Sequence, residues 1–305
     1  MNFVVTGGAG FIGNHLTRHL IEKNYQVTVI DNVSIETLEN FGDLEKKVEF
    51  QKINILHFED LRKVFRNVDG VFHQAALTDV QESFRKPNVY YDINVRGTEN
   101  ILKIAEEFNF KVIFASSASV YGNPKKIPIK ETADRKPLNP YGITKLECEK
   151  LAEKYSKRGN QVITLRYFNV FGKAQTGSYT GVITRFLENI KNKVAPEIFG
   201  DGSQTRDFIY VDDILSANLS AMKSDIGNGF FNIGTGIKTS IKGLANLMIK
   251  LSDYSLEPIF TKLVGGDIKE SQADISLANQ LLNWKPKISL REGLINLLEK
   301  DNTKS

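Results

Sequence analysis

The sequence predicts an α/β fold in which a doubly wound parallel β-sheet is followed by a smaller C-terminal α/β domain. Through the first half of the chain, short β-branched runs alternate with longer helical stretches, a pattern typical of a parallel sheet with helices on both faces. After about residue 170 the alternation loosens into loops rich in Gly, Ser, Thr and Gln. These loops favour a second, smaller domain that caps the sheet.

The elements follow one another in the order that a parallel sheet requires. The predicted strands are the runs NFVVT, QVTVI, VEFQKI, GVFHQA, KVIFAS and QVITLR. The predicted helices cover 11–23, 57–67, 87–108 and 140–158. Sheets of this kind wind right-handedly and bind ligands at the carboxyl ends of their strands. We therefore predict a first domain over 1–171 and a second over 172–305, with 207–222 returning to the first domain.

The composition excludes several function classes. Apolar residues make up 41% and charged residues 25% of the chain, close to the average for globular proteins. The net charge of +4 is spread along the chain without a basic block, so we expect neither a nucleic-acid nor a membrane partner. Cys148 is the only cysteine, which excludes an intramolecular disulfide and makes the cytoplasm the default location. His15 and His19 lack a third ligand, so no metal site is predicted.

A glycine-rich stretch follows the first predicted strand. Gly7, Gly10 and Gly13 fit a turn that bends tightly, approaches a pyrophosphate and packs a helix closely on a strand. An ordinary strand–helix turn would also accept them. Asp31, which ends the second strand 18 residues after Gly13, lies where an acid binds an adenine ribose. The two features together predict a Rossmann domain, and Asp31 favours NAD over NADP because its charge would repel a 2′-phosphate.

Three side chains form a candidate reaction centre. Tyr141 and Lys145 are four residues apart in PYGITK, on one face of a predicted helix. An ammonium group near a tyrosine favours the phenolate, which makes the tyrosine a better general base near neutral pH. Such a pair is also common on helix surfaces. Ser117, at the end of a strand in ASSASVYG, supplies a hydroxyl that can donate or accept beside the same substrate oxygen.

These motifs resemble those of the extended short-chain dehydrogenases/reductases, and among them the UDP-galactose and UDP-N-acetylglucosamine 4-epimerases. The resemblance covers nearly the whole chain. It rests on TGGAGFIG, HQAAL, NVRGTENIL, SSASVYG, PYGITK, RYFNVFG, IFGDGSQTRDFIYVDD, GGDIKESQADIS and LNWKP. It implies that Ser117 is the catalytic hydroxyl, Tyr141 the base and Lys145 its partner.

The resemblance also implies two sets of binding residues. The NAD contacts are expected at Gly7, Gly10, Phe11, Ile12, Gly13, Asp31, Asn32, Asn54, Ile55, Gln74, Ala75, Ala76, Asn94, Tyr141, Lys145 and Tyr167. The contacts with a UDP-hexose are expected at Ser117, Ser119, Tyr141, Asn169, Val182, Phe199, Arg206, Lys269 and Ser271.

The reaction implied is an epimerisation in which NAD is used and regenerated. Tyr141 removes the proton of the sugar 4-hydroxyl as C4 passes hydride to NAD, and the hydride returns to the other face of a 4-keto sugar. Related dehydratases and decarboxylases have an acidic residue after the catalytic hydroxyl. Here Ala118 and Ser119 follow Ser117, which disfavours elimination and leaves oxidation and re-reduction at C4.

Three positions bear on which nucleotide and sugar are bound. Asn54 replaces an aspartate that the family often has near the adenine, and Val264 replaces an arginine that clamps the diphosphate in many epimerases. Lys262 and Lys269 could supply charge there without an arginine's bidentate geometry. Ser271 lies at the family's sugar-pocket gate, where a small residue leaves room for a 2-N-acetyl group. Both the N-acetylated and the unsubstituted UDP-hexoses therefore stay open.

Other functions and partners are not excluded by the sequence. A glucuronate 4-epimerase or a nucleotide-sugar reductase would have the same motifs. A non-catalytic NAD sensor is a rival of another class, although it has no need of Ser117, Tyr141 and Lys145. The apolar positions of 89–108 and 141–155 would suit the homodimer that the resemblance implies, or would pack on the chain's own sheet.

Overall fold

The computed structural model describes residues 1–33, 47–173, 175, 181–252, 254–262 and 268–298. Its strands are β1 (Asn2–Thr6), β2 (Gln26–Asp31), β3 (Glu49–Lys52), β4 (Gly70–His73), β5 (Lys111–Ser117), β6 (Val162–Tyr167), β7 (Asn169–Phe171), β8 (Glu197–Phe199), β9 (Thr205–Tyr210), β10 (Asn228–Ile233), β11 (Lys238–Ser240) and β12 (Ile259–Thr261). Its helices are α1 (Phe11–Glu22), α2 (Phe58–Val64), α3 (Val80–Arg85), α4 (Pro87–Tyr90), α5 (Gly97–Phe108), α6 (Pro140–Ser156), α7 (Val182–Lys191), α8 (Val211–Lys223), α9 (Ile241–Leu251), α10 (Ser276–Leu282) and α11 (Leu290–Leu298).

The central sheet has the strand order β10-β6-β5-β4-β1-β2-β3 in the described part of the chain. Every neighbouring pair in it is parallel. The chain proceeds outward from β1 to β3 on one side and from β4 to β10 on the other. Because the winding reverses between β1 and β4, the crevice at their carboxyl ends is where such sheets bind ligands. The predicted doubly wound α/β fold is confirmed.

Both faces of the sheet are buried. Along β1, Phe3 and Val5 pack into one hydrophobic cluster with residues of α1 and α8, whereas Val4 points to the other cluster, with residues of α2, α5 and α6. This alternation follows from the two-residue side-chain period of a strand. Since each face needs apolar residues, the central strands are nearly continuous apolar runs, and that is why they could be located in the sequence.

The second half of the chain is divided between the central sheet and smaller ones. β9 pairs with β7 and β11, and β8 pairs with β12. Helix α8 packs against α1 and against β5 and β6, while β10 joins the edge of the central sheet beside β6. The segment 207–222 contains the end of β9 and most of α8. Helix α8 therefore contacts the first domain, whereas β9 belongs to a small sheet. The division of the chain at residue 171 stays a prediction.

The predicted helix over 87–108 is divided into three pieces. A π-helical turn, Tyr91–Arg96, lies between α4 and α5. The carbonyl oxygen of Asn94 accepts hydrogen bonds from the Thr98 hydroxyl at 2.6 Å and from the Cys148 thiol at 3.1 Å. The same carbonyl also accepts from the Gly97 backbone N–H, so the two side-chain donors add to a backbone bond at this turn. The turn was not evident from the sequence, because the second donor comes from α6.

Candidate functional site

One cleft of about 1210 Å³ opens along the carboxyl ends of the central strands. It contains nearly all of the predicted site residues. Those on its wall are Gly7, Gly10, Phe11, Ile12, Gly13, Asp31, Asn32, Asn54, Ile55, Gln74, Ala75, Ala76, Ser117, Ser119, Tyr141, Lys145, Tyr167, Asn169, Val182, Phe199, Arg206 and Ser271. Asn94 and Lys269 are not on the wall.

The glycine-rich turn has the close approaches that its glycines permit. Gly7 has φ of +69°, in the left-handed region. A Cβ atom on Gly13 would lie 2.1 Å from the carbonyl oxygen of Gly7, and one on Gly10 would lie 3.3 Å from it. The carbonyl of Gly7 therefore packs directly against the first turn of α1. Residues 10–13, at the N-terminal end of α1, line the cleft, and a helix N-terminus is a suitable place for a pyrophosphate.

Asp31 connects the glycine-rich turn to the end of β2. Its Oδ2 atom accepts a hydrogen bond from the Ala9 N–H at 3.0 Å, and its Oδ1 atom accepts one from the Asn32 N–H at 2.8 Å. The Val33 N–H also donates to Oδ1, at 3.4 Å. A carboxylate oxygen has two lone-pair positions, so Oδ2 can still accept from a ribose hydroxyl. Asp31 thus orders the turn and faces the cleft at the same time.

A buried polar group fixes the loop after β4. The Gln74 side-chain amide lies 3.2 Å from Oδ1 of Asn218 and 3.3 Å from the Tyr167 hydroxyl, and the Asn218 amide donates to that hydroxyl at 2.7 Å. Burial raises the pKa of Tyr167 to about 12, which keeps the phenol protonated. Asn218 was missed by the sequence reasoning. The signal for it in the sequence is an amide among the mostly apolar residues that α8 buries.

The reaction centre combines residues of β5 and α6. Lys145 is 3% exposed, and its Nζ atom donates to the Ala115 carbonyl oxygen at 2.8 Å. Burial lowers the pKa of Lys145 to about 8. The same Nζ atom lies 5.9 Å from the centroid of the Tyr141 ring. The structure therefore places a cation beside the predicted base, on a cleft wall that both side chains share with Ser117.

Ser117 keeps its hydroxyl hydrogen available. Its Oγ atom accepts a hydrogen bond from the Ser119 N–H at 3.1 Å and so caps the 3₁₀ turn Ala118–Tyr121. Because Oγ is the acceptor of that bond, its own O–H can be donated into the cleft. Helix α6 begins just as sharply, since the Asn139 side chain accepts from the Gly142 N–H at 2.8 Å and Pro140 occupies the first turn. This start places Tyr141 at the cleft.

Asn94 is not on the cleft wall, and its role as a cofactor contact stays a prediction. Its amide group donates to the Leu77 carbonyl oxygen at 3.0 Å and to the Thr144 hydroxyl at 2.9 Å, and its Oδ1 atom accepts from the Leu77 N–H. Both amide hydrogens are thereby used within the protein. Thr144 in turn donates to the Tyr141 carbonyl oxygen. Asn94 is thus a positioning residue that connects the loop after β4 to the start of α6.

A buried ion pair behind the cleft was also missed. Arg166 and Glu149 are 2% and 0% exposed and share two hydrogen bonds, at 2.8 and 2.7 Å. The Ser116 hydroxyl donates to Glu149 at 2.7 Å. Glu149 lies one turn after Lys145 on α6, and Ser116 directly precedes Ser117 on β5. Glu149 therefore bonds the helix that contains the base both to β5, through Ser116, and to β6, through Arg166, although nothing local in the sequence relates these residues.

The nucleotide side of the cleft comes from the second half of the chain. Arg206 donates from Nη1 to the Ile268 carbonyl oxygen, and Ser271 is 5% exposed on the wall. Lys269 is exposed, and its backbone N–H donates to the Asn123 side chain at 3.3 Å. Its side chain is not on the cleft wall, and its role as a substrate contact stays a prediction. Val264 lies outside the described residues.

The described helices include none that is long and apolar enough to cross a membrane. Comparison with known proteins gives a match of residues 3–234 to the model of the NAD dependent epimerase/dehydratase family.

Three solved structures are similar over nearly the whole chain. The UDP-glucose 4-epimerase of Thermotoga maritima, solved with UDP-glucose, is 36% identical with a TM-score of 0.93 and 99% of each chain covered. The UDP-N-acetylglucosamine 4-epimerase of Methanobrevibacter ruminantium, solved with UDP-N-acetylmuramic acid, is 34% identical with a TM-score of 0.93, covering 100% of this chain and 99% of that one. The UDP-glucuronic acid 4-epimerase of Bacillus cereus, solved with UDP-glucuronic acid and NAD, is 34% identical with a TM-score of 0.89 and 96% of each chain covered.

Proposed function

The chain belongs to the NAD dependent epimerase/dehydratase family, and we propose that it epimerises a UDP-hexose at C4. The resemblance found in the sequence is thereby confirmed at the level of the family. The three similar structures are named as UDP-sugar 4-epimerases and differ in the sugar. The choice among UDP-glucose/UDP-galactose, UDP-N-acetylglucosamine/UDP-N-acetylgalactosamine and UDP-glucuronate is the finer part of the proposal.

The described residues fit NAD at the crevice between β1 and β4. The backbone at Gly7 and Gly13 is packed so closely that no Cβ atom fits there, and the pyrophosphate would meet the N–H groups at the start of α1. The Asp31 carboxylate would accept from the adenine ribose hydroxyls. NAD, when bound, supplies the hydride acceptor and donor of the reaction. Lys145 and Tyr141 would contact the cofactor from the opposite wall, where they line the same cleft.

The proton chemistry is assigned to three side chains. Tyr141 takes the proton of the 4-hydroxyl and returns it after the sugar has turned over. The Lys145 ammonium stabilises the phenolate by its charge, and at pH 7 it is mostly protonated because its pKa is about 8. Ser117 donates its free O–H to the same sugar oxygen as negative charge develops there.

The observation that carries the choice of epimerisation is the position of the carboxylates. Among the described wall residues, the acids are Asp31, Asp79 and Glu270. Asp31 holds the glycine-rich turn, Asp79 accepts from the Glu82 N–H at the start of α3, and Glu270 pairs with Lys238. None of them follows Ser117, whose successors are Ala118 and Ser119. Abstraction of a second sugar proton therefore has no base beside the catalytic hydroxyl, and hydride transfer at C4 is favoured.

The first experiment separates the three sugar classes. The purified protein, with bound NAD verified, is incubated separately with UDP-glucose, UDP-N-acetylglucosamine and UDP-glucuronate, and the products are resolved by chromatography. We expect the C4 epimer of UDP-N-acetylglucosamine, of UDP-glucose or of both. An epimer from UDP-glucuronate alone would select the runner-up, and no epimer from any of them would overturn the proposal.

Ser271 supports the larger substrate, since a serine on the cleft wall leaves room beside the sugar. A Ser271→Tyr variant fills that room. We expect it to lose turnover of UDP-N-acetylglucosamine by about 10-fold or more, because overfilling a closely packed site is costly, and to retain turnover of UDP-glucose. Equal loss for both sugars would show that position 271 does not discriminate between them.

We also propose that the protein is a cytoplasmic homodimer. Large apolar side chains are exposed on neighbouring elements that surround the start of α6. They are Phe84, Val89, Tyr91, Leu138 and Ile143, each 44–56% exposed. A second copy of the chain could cover this patch. Ile143→Asp should yield monomers by sedimentation velocity, and unchanged sedimentation of a dimer would place the interface elsewhere.

A further inference from the structure

Three basic side chains line the described part of the cleft: Lys145, Arg185 and Arg206. Lys145 belongs to the reaction centre, and Arg206 donates from Nη1 to the carbonyl oxygens of Thr205 and Ile268. Arg185 neither belongs to the reaction centre nor donates to these carbonyl oxygens. Its side chain is exposed and lines the cleft, and no hydrogen bond or ion pair within the described residues occupies its guanidinium group.

Arg185 is held in place by an aromatic ring. Its Cζ atom lies 5.2 Å from the centroid of the Phe199 ring, within the range of a cation–π contact. Helix α7 is anchored by the buried side chains of Ile183, Phe186 and Ile190, which fixes the backbone from which Arg185 projects. A cation–π contact does not use the N–H groups as hydrogen-bond donors to oxygen, so they stay available to a ligand.

The place of Arg185 relates it to the nucleotide. It follows Val182 by three residues on α7, which puts the two on one face of the helix, and both line the cleft together with Phe199 and Arg206. The proposed substrate has a diphosphate with two negative charges. A guanidinium binds phosphate oxygens in a bidentate way, which an ammonium does not.

The other cations that could replace a diphosphate-binding arginine, Lys262 and Lys269, are not on the cleft wall. Val264 stands where many epimerases have an arginine, and neither 263–267 nor 174–180 contains Lys or Arg. Lys269 is exposed and does not line the cleft. Resting on the proposed function, we propose that Arg185 binds the diphosphate of the nucleotide sugar and replaces the arginine that this chain lacks at 264.

The test measures binding, so that it does not depend on turnover. The full chain loaded with NAD is titrated calorimetrically with UDP and with uridine, for the wild type, Arg185→Met and Arg185→Lys. We expect Arg185→Met to weaken UDP binding by about 10-fold or more, since a hydrogen bond to a charged group has that weight. Uridine, which has no phosphate, should bind both proteins equally, and Arg185→Lys should restore only part of the UDP affinity.

A matched control is available on the surface. Lys242 lies over the Phe260 ring at 5.8 Å and is not on the cleft wall, so Lys242→Met removes a cation–aromatic contact without touching the site. It should bind UDP as the wild type does. In steady-state kinetics, Arg185→Met should raise KM for the nucleotide sugar much more than it lowers kcat.

The outcomes separate the two proposals. If the wild type binds UDP and Arg185→Met binds it equally well, the role of Arg185 is refuted while the proposed function stands. If the variant loses uridine and UDP affinity alike, Arg185 acts on the base or on the fold, and the inference fails. If the wild type does not bind UDP at all, the proposed function itself fails.

Discussion

The Lys145 ammonium donates a 2.8 Å hydrogen bond to the carbonyl oxygen of Ala115, two residues before Ser117. The cation that supports the base is thus bonded to the strand that presents the catalytic hydroxyl. Because Lys145 also lies beside the Tyr141 ring, one side chain aligns both partners of the proton transfer. This arrangement needs α6 to lie against β5, and the residues behind the cleft serve that purpose.

Removal of the base or its cation should slow the chemical step. We expect Tyr141→Phe and Lys145→Met to lower kcat by about 10²- to 10⁴-fold, the usual contribution of general acid–base catalysis. The measurement is steady-state turnover by the protein with bound NAD. Lys150→Met, on the same helix but exposed and paired with Glu147, is the control and should keep wild-type kcat. A fully active Tyr141→Phe would refute its assignment as the base.

Ser117 and Ser116 should separate activity from stability. Ser117→Ala removes the hydroxyl on the cleft wall and should lower kcat with little change in the free energy of unfolding. Ser116→Ala leaves a buried oxygen of Glu149 short of one donor and should lower the free energy of unfolding by about 1–3 kcal/mol, with folded protein remaining active. Denaturant titration and kcat measured on both variants check this, and the reverse pattern would contradict it.

The Glu149–Arg166 pair should be costly to break. Glu149→Gln leaves the buried Arg166 guanidinium without its counter-charge, and we expect the free energy of unfolding to fall by about 3–5 kcal/mol. Glu147→Gln, two residues earlier and paired only with the exposed Lys150 in the described structure, should change it by less than about 1 kcal/mol. Similar unfolding midpoints for the two variants would show that the buried ion pair contributes no more to the free energy of unfolding than the exposed one.

The third glycine of the turn should be the least replaceable. In Gly13→Ala the new methyl group would meet the Gly7 carbonyl oxygen at 2.1 Å, so the turn must open and NAD binding should be lost. Gly227→Ala is the control, because the nearest atom to its methyl group would be the Gln161 side chain at 3.9 Å. NAD retained after desalting is the measurement. Wild-type retention by Gly13→Ala would disprove the predicted close packing.

His73 should make stability depend on pH. Thr98 donates to the Asn94 carbonyl oxygen, so it accepts from Nε2–H of His73, while Nδ1 lies 2.7 Å from the Thr6 hydroxyl. Burial, and next the charge of Lys145, lower the pKa of His73 to about 3. Below the ordinary histidine pKa near 6.5, the His73 side chain is protonated in the unfolded chain but stays neutral in the folded protein.

Stability should therefore fall as the pH drops from 6.5 towards 3, by up to about 1.4 kcal/mol per pH unit from this residue. Denaturant unfolding between pH 7 and 5 measures the slope. His73→Gln should make it shallower, whereas His57→Gln, at an exposed position, should not. An equal slope in wild type and His73→Gln would mean that other groups cause the dependence.

The sequence by itself determined the sheet class and most of the cleft. Short spacings in the sequence identify the site residues Gly7, Gly13 and Asp31. The same is true of Tyr141 and Lys145. These spacings lie within one turn, one helix or two adjacent strands, and they follow from backbone geometry alone. Apolar runs long enough to be buried on both faces located the central strands. The small sheets and β10 were not predicted, because their pairing depends on partners that are distant in the chain.

Only the tertiary structure decided which polar groups are joined across the fold. Glu149 and Arg166 are 17 residues apart, and Gln74 and Asn218 are 144 apart, so no local pattern relates them. It also bonded both amide hydrogens of Asn94 within the protein and placed Arg185 on the cleft wall. A hydrogen bond or ion pair needs its two partners within about 3 Å of each other, and for residues far apart in the chain that proximity exists only once the sheet and its helices have assembled.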